Sequence, residues 1–274
     1  MTINCKGDLI DLTSPKVMGI LNITPDSFFD GGKFKDESSI LLHVEKMLVE
    51  GATFIDIGAY SSRPGAEDVS ESLELIRILP IVELILKNYP NALLSIDTFR
   101  GAVAKECLER GAAIINDISA GLRDKTLLPT VAKLKAPYIM MHMRGTSKTM
   151  QGQTDYDDLL KDILFFFSER LAEAKSIGIK DIIIDPGFGF AKTLTQNYAL
   201  LNQLELLKIT DHPILVGLSR KSMIYKLLGS TPEEALNATT ALHMLALNQG
   251  AKILRVHDVK EAMECVKLQE QLEV

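Results

Sequence analysis

The sequence predicts an α/β protein: a single (β/α)8 TIM barrel with its active site at the C-terminal ends of the strands. Three observations carry that expectation. Eight short apolar runs recur along 274 residues, the pattern of strands buried on both faces. Helical stretches fill the gaps between them, as a closed parallel sheet requires. Nearly every run stops at a polar residue, a charged residue or a glycine, and barrels place their chemistry where strands end.

In chain order, Val17–Leu21 runs into Asn22, and Thr53–Ile55 into Asp56 and Gly58. Ala92–Ile96 meets Asp97, and Ala113–Ile115 meets Asn116 and Asp117. Tyr138–Met141 ends at His142, and Ile182–Ile184 at Asp185. Ile214–Val216 leads to Gly217, Ser219 and Lys221, and Lys252–Leu254 to Arg255 and His257. Helices are expected over Ser38–Glu50, Ser70–Asn88, Gly101–Arg110, Asp124–Lys135, Asp157–Ile177, Gln196–Lys208, Pro232–Asn248 and Val259–Leu272. Thr231-Pro232-Glu233-Glu234 reads as a capping box, and Asp258 with Glu261 as a second. Gly51, Gly111, Gly178 and Gly250 each follow a helix, where a left-handed residue ends it. Residues Met1–Lys16 are expected to cover the barrel floor. The long loops Ile23–Glu37 and Ala59–Val69 suit binding loops, with Gly31-Gly32 as a hinge.

No linker or low-complexity tract divides the chain, so residues 1–274 read as one domain. Hydrophobic residues make up 46 %, enough for a sizeable core, yet no run nears the roughly 18 residues of a membrane span. Met1–Asp11 lacks the order of a secretory signal. Three cysteines, Cys5, Cys107 and Cys265, are too few and too scattered for a disulfide framework or zinc site, which favours a reduced, cytoplasmic protein. A net charge of −6 argues against a nucleic-acid surface. Against that acidic background, Arg63, Arg220, Lys221, Arg255 and His257 gather at strand ends or the loops after them, which suggests an anionic ligand.

The strand-end residues also suggest what else binds. A carboxylate accepts two parallel hydrogen bonds, so Asp97 and Asp185 suit a planar heterocycle presenting an N–H beside an amine. Asn116 adds an acceptor and two donors, and Lys221 a cation. Gly217-Leu218-Ser219-Arg220-Lys221-Ser222 opens a helix after the seventh strand, where barrels often bind phosphate. Asp185-Pro186-Gly187-Phe188-Gly189-Phe190 is no dinucleotide fingerprint, because Lys192 stands where the third glycine belongs. Its glycines are expected to let the backbone pass close to a ligand. Met140 or Met141 is expected in an apolar pocket wall. No HExxH motif and no phosphate-binding P-loop occurs.

Eight segments in order resemble the dihydropteroate synthase family of pterin-binding barrels. They are Met18-Gly19-Ile20-Leu21-Asn22-Ile23-Thr24-Pro25-Asp26-Ser27-Phe28, Ser61-Ser62-Arg63-Pro64-Gly65-Ala66, Ser95-Ile96-Asp97-Thr98, Ile115-Asn116-Asp117, Met141-His142-Met143-Arg144-Gly145, the Asp185–Phe190 and Gly217–Ser222 segments, and Arg255-Val256-His257-Asp258-Val259. The resemblance implies a cytoplasmic, homodimeric transferase. It joins dihydropterin pyrophosphate to p-aminobenzoate by a dissociative displacement, with Mg²⁺ assisting pyrophosphate departure. Asp97, Asn116, Asp185, Lys221 and Arg255 would hold the pterin. Asn22, Arg63, Arg255 and His257 would hold pyrophosphate, Asn22 also placing the metal. Phe28, Ser62, Pro64 and Ser219 would border p-aminobenzoate, and sulfonamides would compete there. Asp97, Lys221 and Arg63 would be the catalytic residues. The chain departs from the family pattern at Ala59-Tyr60-Ser61-Ser62, where Gly-Glu-Ser-Thr is usual, and at Phe29, where Ser is common. Two other readings share the pterin pocket: a non-catalytic pterin-binding paralogue, and a methyltetrahydrofolate–corrinoid methyltransferase.

Overall fold

The computed structural model describes residues 1–23, 37–60 and 69–272. It opens with an antiparallel hairpin, β1 (Thr2–Cys5) and β2 (Asp8–Asp11). Eight strands then close into a parallel barrel in the order β10-β3-β4-β5-β6-β7-β8-β9. They are β3 (Lys16–Asn22), β4 (Phe54–Gly58), β5 (Leu93–Asp97), β6 (Ile114–Asp117), β7 (Tyr138–Met141), β8 (Ile182–Asp185), β9 (Ile214–Val216) and β10 (Ala251–Val256). Every one of the eight apolar runs overlaps one of them.

Among the described residues the intervening helices are α1 (Glu37–Val49), α2 (Glu71–Asn88), α3 (Gly101–Glu109), α4 (Leu127–Leu134), α5 (Leu159–Ser176), α6 (Leu194–Asn202), α7 (Ser222–Leu228), α8 (Leu236–Asn248) and α9 (Val259–Leu272). Their starts are written in short polar side chains. Ser70 accepts from the Leu73 N–H and Asp158 from the Lys161 N–H, while Thr193 and Gln196 complete a reciprocal capping box. Gly51, Gly111, Gly178 and Gly250 all take positive φ, as expected.

Two expected helices are broken. The stretch over Gln196–Lys208 is α6 followed by a 3₁₀ segment, Leu204–Thr210; the turn tightens where the Gln203 N–H bonds the Leu200 carbonyl. After β9 a short α7 precedes the Pro232 region, because left-handed Gly229 stops it. The Thr231 box is only half formed: Glu234 accepts the Thr231 N–H at 3.2 Å, but a 3₁₀ turn follows and α8 begins at Leu236.

Side-chain alternation divides the barrel into two shells. Outward residues such as Val17, Leu21, Ile55, Ile57, Leu94, Ile96 and Ile115 join the helices in the larger apolar core. Inward residues in the lower half form a second cluster: Met18, Phe54, Ile114, Ile139, Ile183, Leu215 and Ile253. Ile3, Cys5 and Leu12 seal that cluster from below, so the hairpin does cover the floor. Cys5, Cys107 and Cys265 are buried and free. Among the described residues no helix is long and apolar enough to cross a membrane.

Candidate active site

Strand register builds the site. Asn22 pairs with Gly58, Gly58 with Asp97, and Asp97 with Asn116, so these positions share one level at the barrel's upper rim. Asp56 lies one inward step lower, in phase with Phe54 and Gly58. Asp185 ends β8 across the mouth, and Arg255 comes from β10.

These side chains form a connected polar network. The Arg255 guanidinium donates to Asp56 Oδ2 at 2.6 Å and to Asp97 Oδ2 at 3.0 Å. Asn116 Nδ2 donates to both Asp56 oxygens, at 3.2 and 3.3 Å. Asp56 is fully buried, and an isolated buried carboxylate would be costly. Its partners offset that cost. The run into Asp56 was visible in the sequence, but no role followed from it. The signal was a charge inside an otherwise apolar strand, which demands a partner.

Electrostatics follow from this packing. Burial raises the Asp97 carboxyl to about 7; Arg255 opposes the rise and neighbouring Asp56 adds to it. Burial also raises Asp185, against the pull of Lys221 and the Gly187 N–H, which donates to Asp185 Oδ1 at 2.7 Å. Lys221 is lowered by burial to about 8, with Asp185 opposing. For Arg255 burial acts downward, but Asp56 and Asp97 win and hold it above its usual range.

Alternation also sorts neighbouring residues. Asn116 faces the barrel interior. Asp117 faces outward and accepts from the Tyr138 hydroxyl, the Ser119 N–H and hydroxyl, and the Gly121 N–H, at 2.6–2.7 Å. Asp117 therefore shapes a turn. Met141 joins Ile118, Met143, Met150 and Ala191 in an apolar patch, with Tyr60 and Phe190 packed against it, whereas Met140 belongs to the outer core.

The glycines of the loop after β8 let its backbone pass close to a neighbouring strand end. Gly187 has φ +72°, and a Cβ there would fall 2.1 Å from the His142 carbonyl oxygen. Its close approach is to the protein's own backbone at His142. Lys192 pins this loop. Its buried ammonium donates to the Gly187 and Phe190 carbonyls at 3.0 Å each and lies 3.1 Å from His142 Nδ1. Three donors thus meet three acceptors, with Nδ1 accepting. Burial and the Lys192 charge lower His142 to about 2.

Lys221 donates to the Phe188 carbonyl and lies 4.8 Å over the Phe190 ring, and its charge opposes the rise of the Asp185 carboxyl. Arg220 does not join the cationic cluster. Its guanidinium engages Asp258 in two 2.8 Å bonds and donates to the Pro232 and Glu233 carbonyls. That pairing also occupies the Asp258 carboxylate expected to cap the last helix. Ser219 Oγ accepts the His257 N–H and lies 3.1 Å from His257 Nδ1, so the structure brings these two expected site residues together. Phe28, Phe29, Gly31, Gly32, Ser62, Arg63 and Pro64 lie outside the described residues.

A parallel barrel whose upper mouth combines buried carboxylates with an amide and cations defines a barrel enzyme for a polar heterocycle. The family described as pterin binding enzyme matches residues 18–257. The dihydropteroate synthase of Escherichia coli K12 is 43 % identical over 272 residues, covering 98 % of this chain and 96 % of that protein. That of Haemophilus influenzae is 42 % identical over 270 residues, with 98 % of each covered. A crystal structure of the Yersinia pestis synthase with a sulfonamide drug complex superposes with a TM-score of 0.95 at 43 % identity, covering 100 % of this chain and 99 % of that one. The chain belongs to the dihydropteroate synthase family. It is a transferase of folate biosynthesis that condenses 6-hydroxymethyl-7,8-dihydropterin pyrophosphate with p-aminobenzoate, giving 7,8-dihydropteroate and pyrophosphate.

Proposed function

We propose that the pterin is held in the barrel mouth by Asp97, Asn116, Asp185 and Lys221, with Arg255 against its ring. The observation that carries this reading is the Asp56–Asn116–Arg255–Asp97 network at one end of the barrel. Its carboxylates match the N–H groups of a pterin edge, and the amide supplies both donor and acceptor. The C–O bond to pyrophosphate lengthens first, and positive charge spreads into the pterin. Asp97 and Asp185 stabilise that charge in a water-poor site. Arg63, Arg255 and His257 receive the departing diphosphate. The p-aminobenzoate amine then adds and loses its proton, which is acidic only after attack. Phe28, Ser62, Pro64 and Ser219 border that second substrate, and sulfonamides compete with it.

Mg²⁺ fits the donor set around Asn22. A Cβ on Gly58 would sit 3.7 Å from Asn22 Oδ1, so Asn22 presents a hard oxygen donor beside Gly58 at the barrel rim. Among the described residues no group of three His, Cys, Asp or Glu side chains could cage a metal. This suits an ion held by Asn22 and shared with substrate phosphates. When bound, it would neutralise charge on the leaving diphosphate.

Residues 1–274 act as one barrel domain, and the chain works as a cytoplasmic homodimer. Free buried cysteines suit a reducing compartment. Exposed Leu227, Leu228, Leu245 and Leu268, on α7, α8 and α9, supply apolar surface for a second copy. The test is pyrophosphate release from dihydropterin pyrophosphate and Mg²⁺, with and without p-aminobenzoate. Release that needs p-aminobenzoate and yields dihydropteroate is expected. Pterin binding without turnover would instead identify a non-catalytic paralogue.

A further inference from the structure

Tyr60 lies two residues beyond the end of β4 and stands where the family pattern usually carries glutamate. Its hydroxyl donates to Asp97 Oδ1 at 3.2 Å, while Arg255 donates to Asp97 Oδ2 at 3.0 Å. One donor from each side therefore holds each oxygen of the same carboxylate. The Tyr60 ring is itself fixed. It meets Phe99 edge-on, with centroids 5.3 Å apart at 85°, and packs on the apolar patch around Met141. Phe99 in turn is met by two guanidinium groups, Arg123 at 3.7 Å and Arg100 at 4.5 Å from its ring centre. Arg100 is anchored by an ion pair to fully buried Glu74, whose other oxygen accepts from the Thr98 hydroxyl at 2.7 Å. The phenol is thus the tip of a rigid chain of contacts running back to β5.

A carboxylate turns about a soft terminal torsion, and bidentate recognition needs its plane fixed. Each oxygen offers two acceptor positions. With one taken by Tyr60 or Arg255, one per oxygen remains for a ligand. We propose that Tyr60 is a positioning residue of the transferase: its hydroxyl and Arg255 together fix the Asp97 carboxylate plane for two parallel N–H groups of the pterin. The inference rests on Asp97 as a pterin ligand. Tyr60 acts through Asp97 and touches neither reacting atom. Burial and the nearby Asp97 charge hold the phenol well above its ordinary pKa, so it remains a donor at working pH.

The experiment is titration of dihydropterin pyrophosphate, without p-aminobenzoate, into the wild type, Tyr60→Phe, Asp97→Asn and the double variant. Steady-state kinetics are run for both substrates. Tyr60→Phe keeps the ring on Phe99 and is expected to melt like the wild type. Loss of a hydrogen bond to a charged group should weaken pterin binding about tenfold. The KM for p-aminobenzoate should not change, a split that general loosening of the fold would not give. In the Asp97→Asn background, Tyr60→Phe should have little further effect, because its target is already altered. Wild-type affinity in Tyr60→Phe overturns the proposal. Tighter binding also overturns it, showing that the side chain fills the pterin's place. Equal losses in both backgrounds overturn it too, since Tyr60 would then act without Asp97. Should Asp97→Asn alone bind like the wild type, the pterin assignment falls, and this inference with it.

Discussion

The lower and upper halves of the barrel interior are made by the same strands and obey opposite rules. On β4, Phe54 and Asp56 point inward one step apart; on β6, Ile114 and Asn116; on β8, Ile183 and Asp185; on β10, Ile253 and Arg255. The lower member of each pair packs in a fully apolar plug with the N-terminal hairpin. The upper member is charged or an amide and meets another polar group. Folding stability is concentrated below, where burial is unopposed by desolvation. Chemistry is concentrated above, where Asp56 stands close enough to Asp97 to add to the rise that burial gives its carboxyl. Crowded like charges of this kind cost stability and are retained for function.

That division predicts different consequences for substitutions one step apart on one strand. The largest effect is expected for Asp97→Asn, which keeps the shape and removes the charge. Turnover should fall about 10³-fold, the scale of losing one electrostatic stabiliser in a closed site. Its melting temperature should hold or rise, because burial and Asp56 already oppose ionisation there. Activity assays beside calorimetry check both. Next is Ile183→Ala, two residues below Asp185. It should cost about 2–5 kcal/mol of stability by opening a cavity in the plug. The KM for dihydropterin pyrophosphate should stay at the wild-type value at temperatures where the variant is folded. If Ile183→Ala cut pterin affinity as well, the two halves would not be independent.

The division was partly legible in the sequence. Eight apolar runs located the strands because a strand covered on both faces has no polar side to show. Asp97, Asn116, Asp185 and Arg255 were legible because each closes or nearly closes a run. Asp56 was harder: it sits inside its strand, and only the inward phase shared with Phe54 gives it away. Lys192 could not be read at all, since its acceptors are two loop carbonyls and a histidine fifty positions away in sequence. Arg220 is ambiguous in the sequence for a related reason. A cation at a strand end is common to anion sites and to ion pairs, and its partner Asp258 comes from the next strand's end. Local pattern fixes which face a residue occupies; long-range pairing decides what it does there.

His142 separates the two halves by pH. It stands just above the apolar interior, its N–H bonded to the Asp185 carbonyl, with its ring between Lys192 and the edge-on Phe166 ring at 4.9 Å. Unfolded, an imidazole titrates at its model value of 6.5; folded, this one is lowered to about 2, chiefly by burial and then by Lys192. Between those values the unfolded chain binds the extra proton. Stability must therefore fall as pH drops below 6.5, by up to about 1.4 kcal/mol per pH unit from this residue. His243, lowered by burial to about 4, acts in the same direction, whereas Asp97, raised to about 7, acts in the opposite one. The net slope of the wild type is accordingly a contest, but the difference from one variant is not. In His142→Asn an amide oxygen can still accept the Lys192 proton and nothing titrates. Denaturation from pH 7 to 4.5 should show the variant gaining on the wild type steadily as pH falls. A constant offset across that range would mean that burial and Lys192 do not hold His142 neutral, and that the upper rim is less closed to protons than its burial implies.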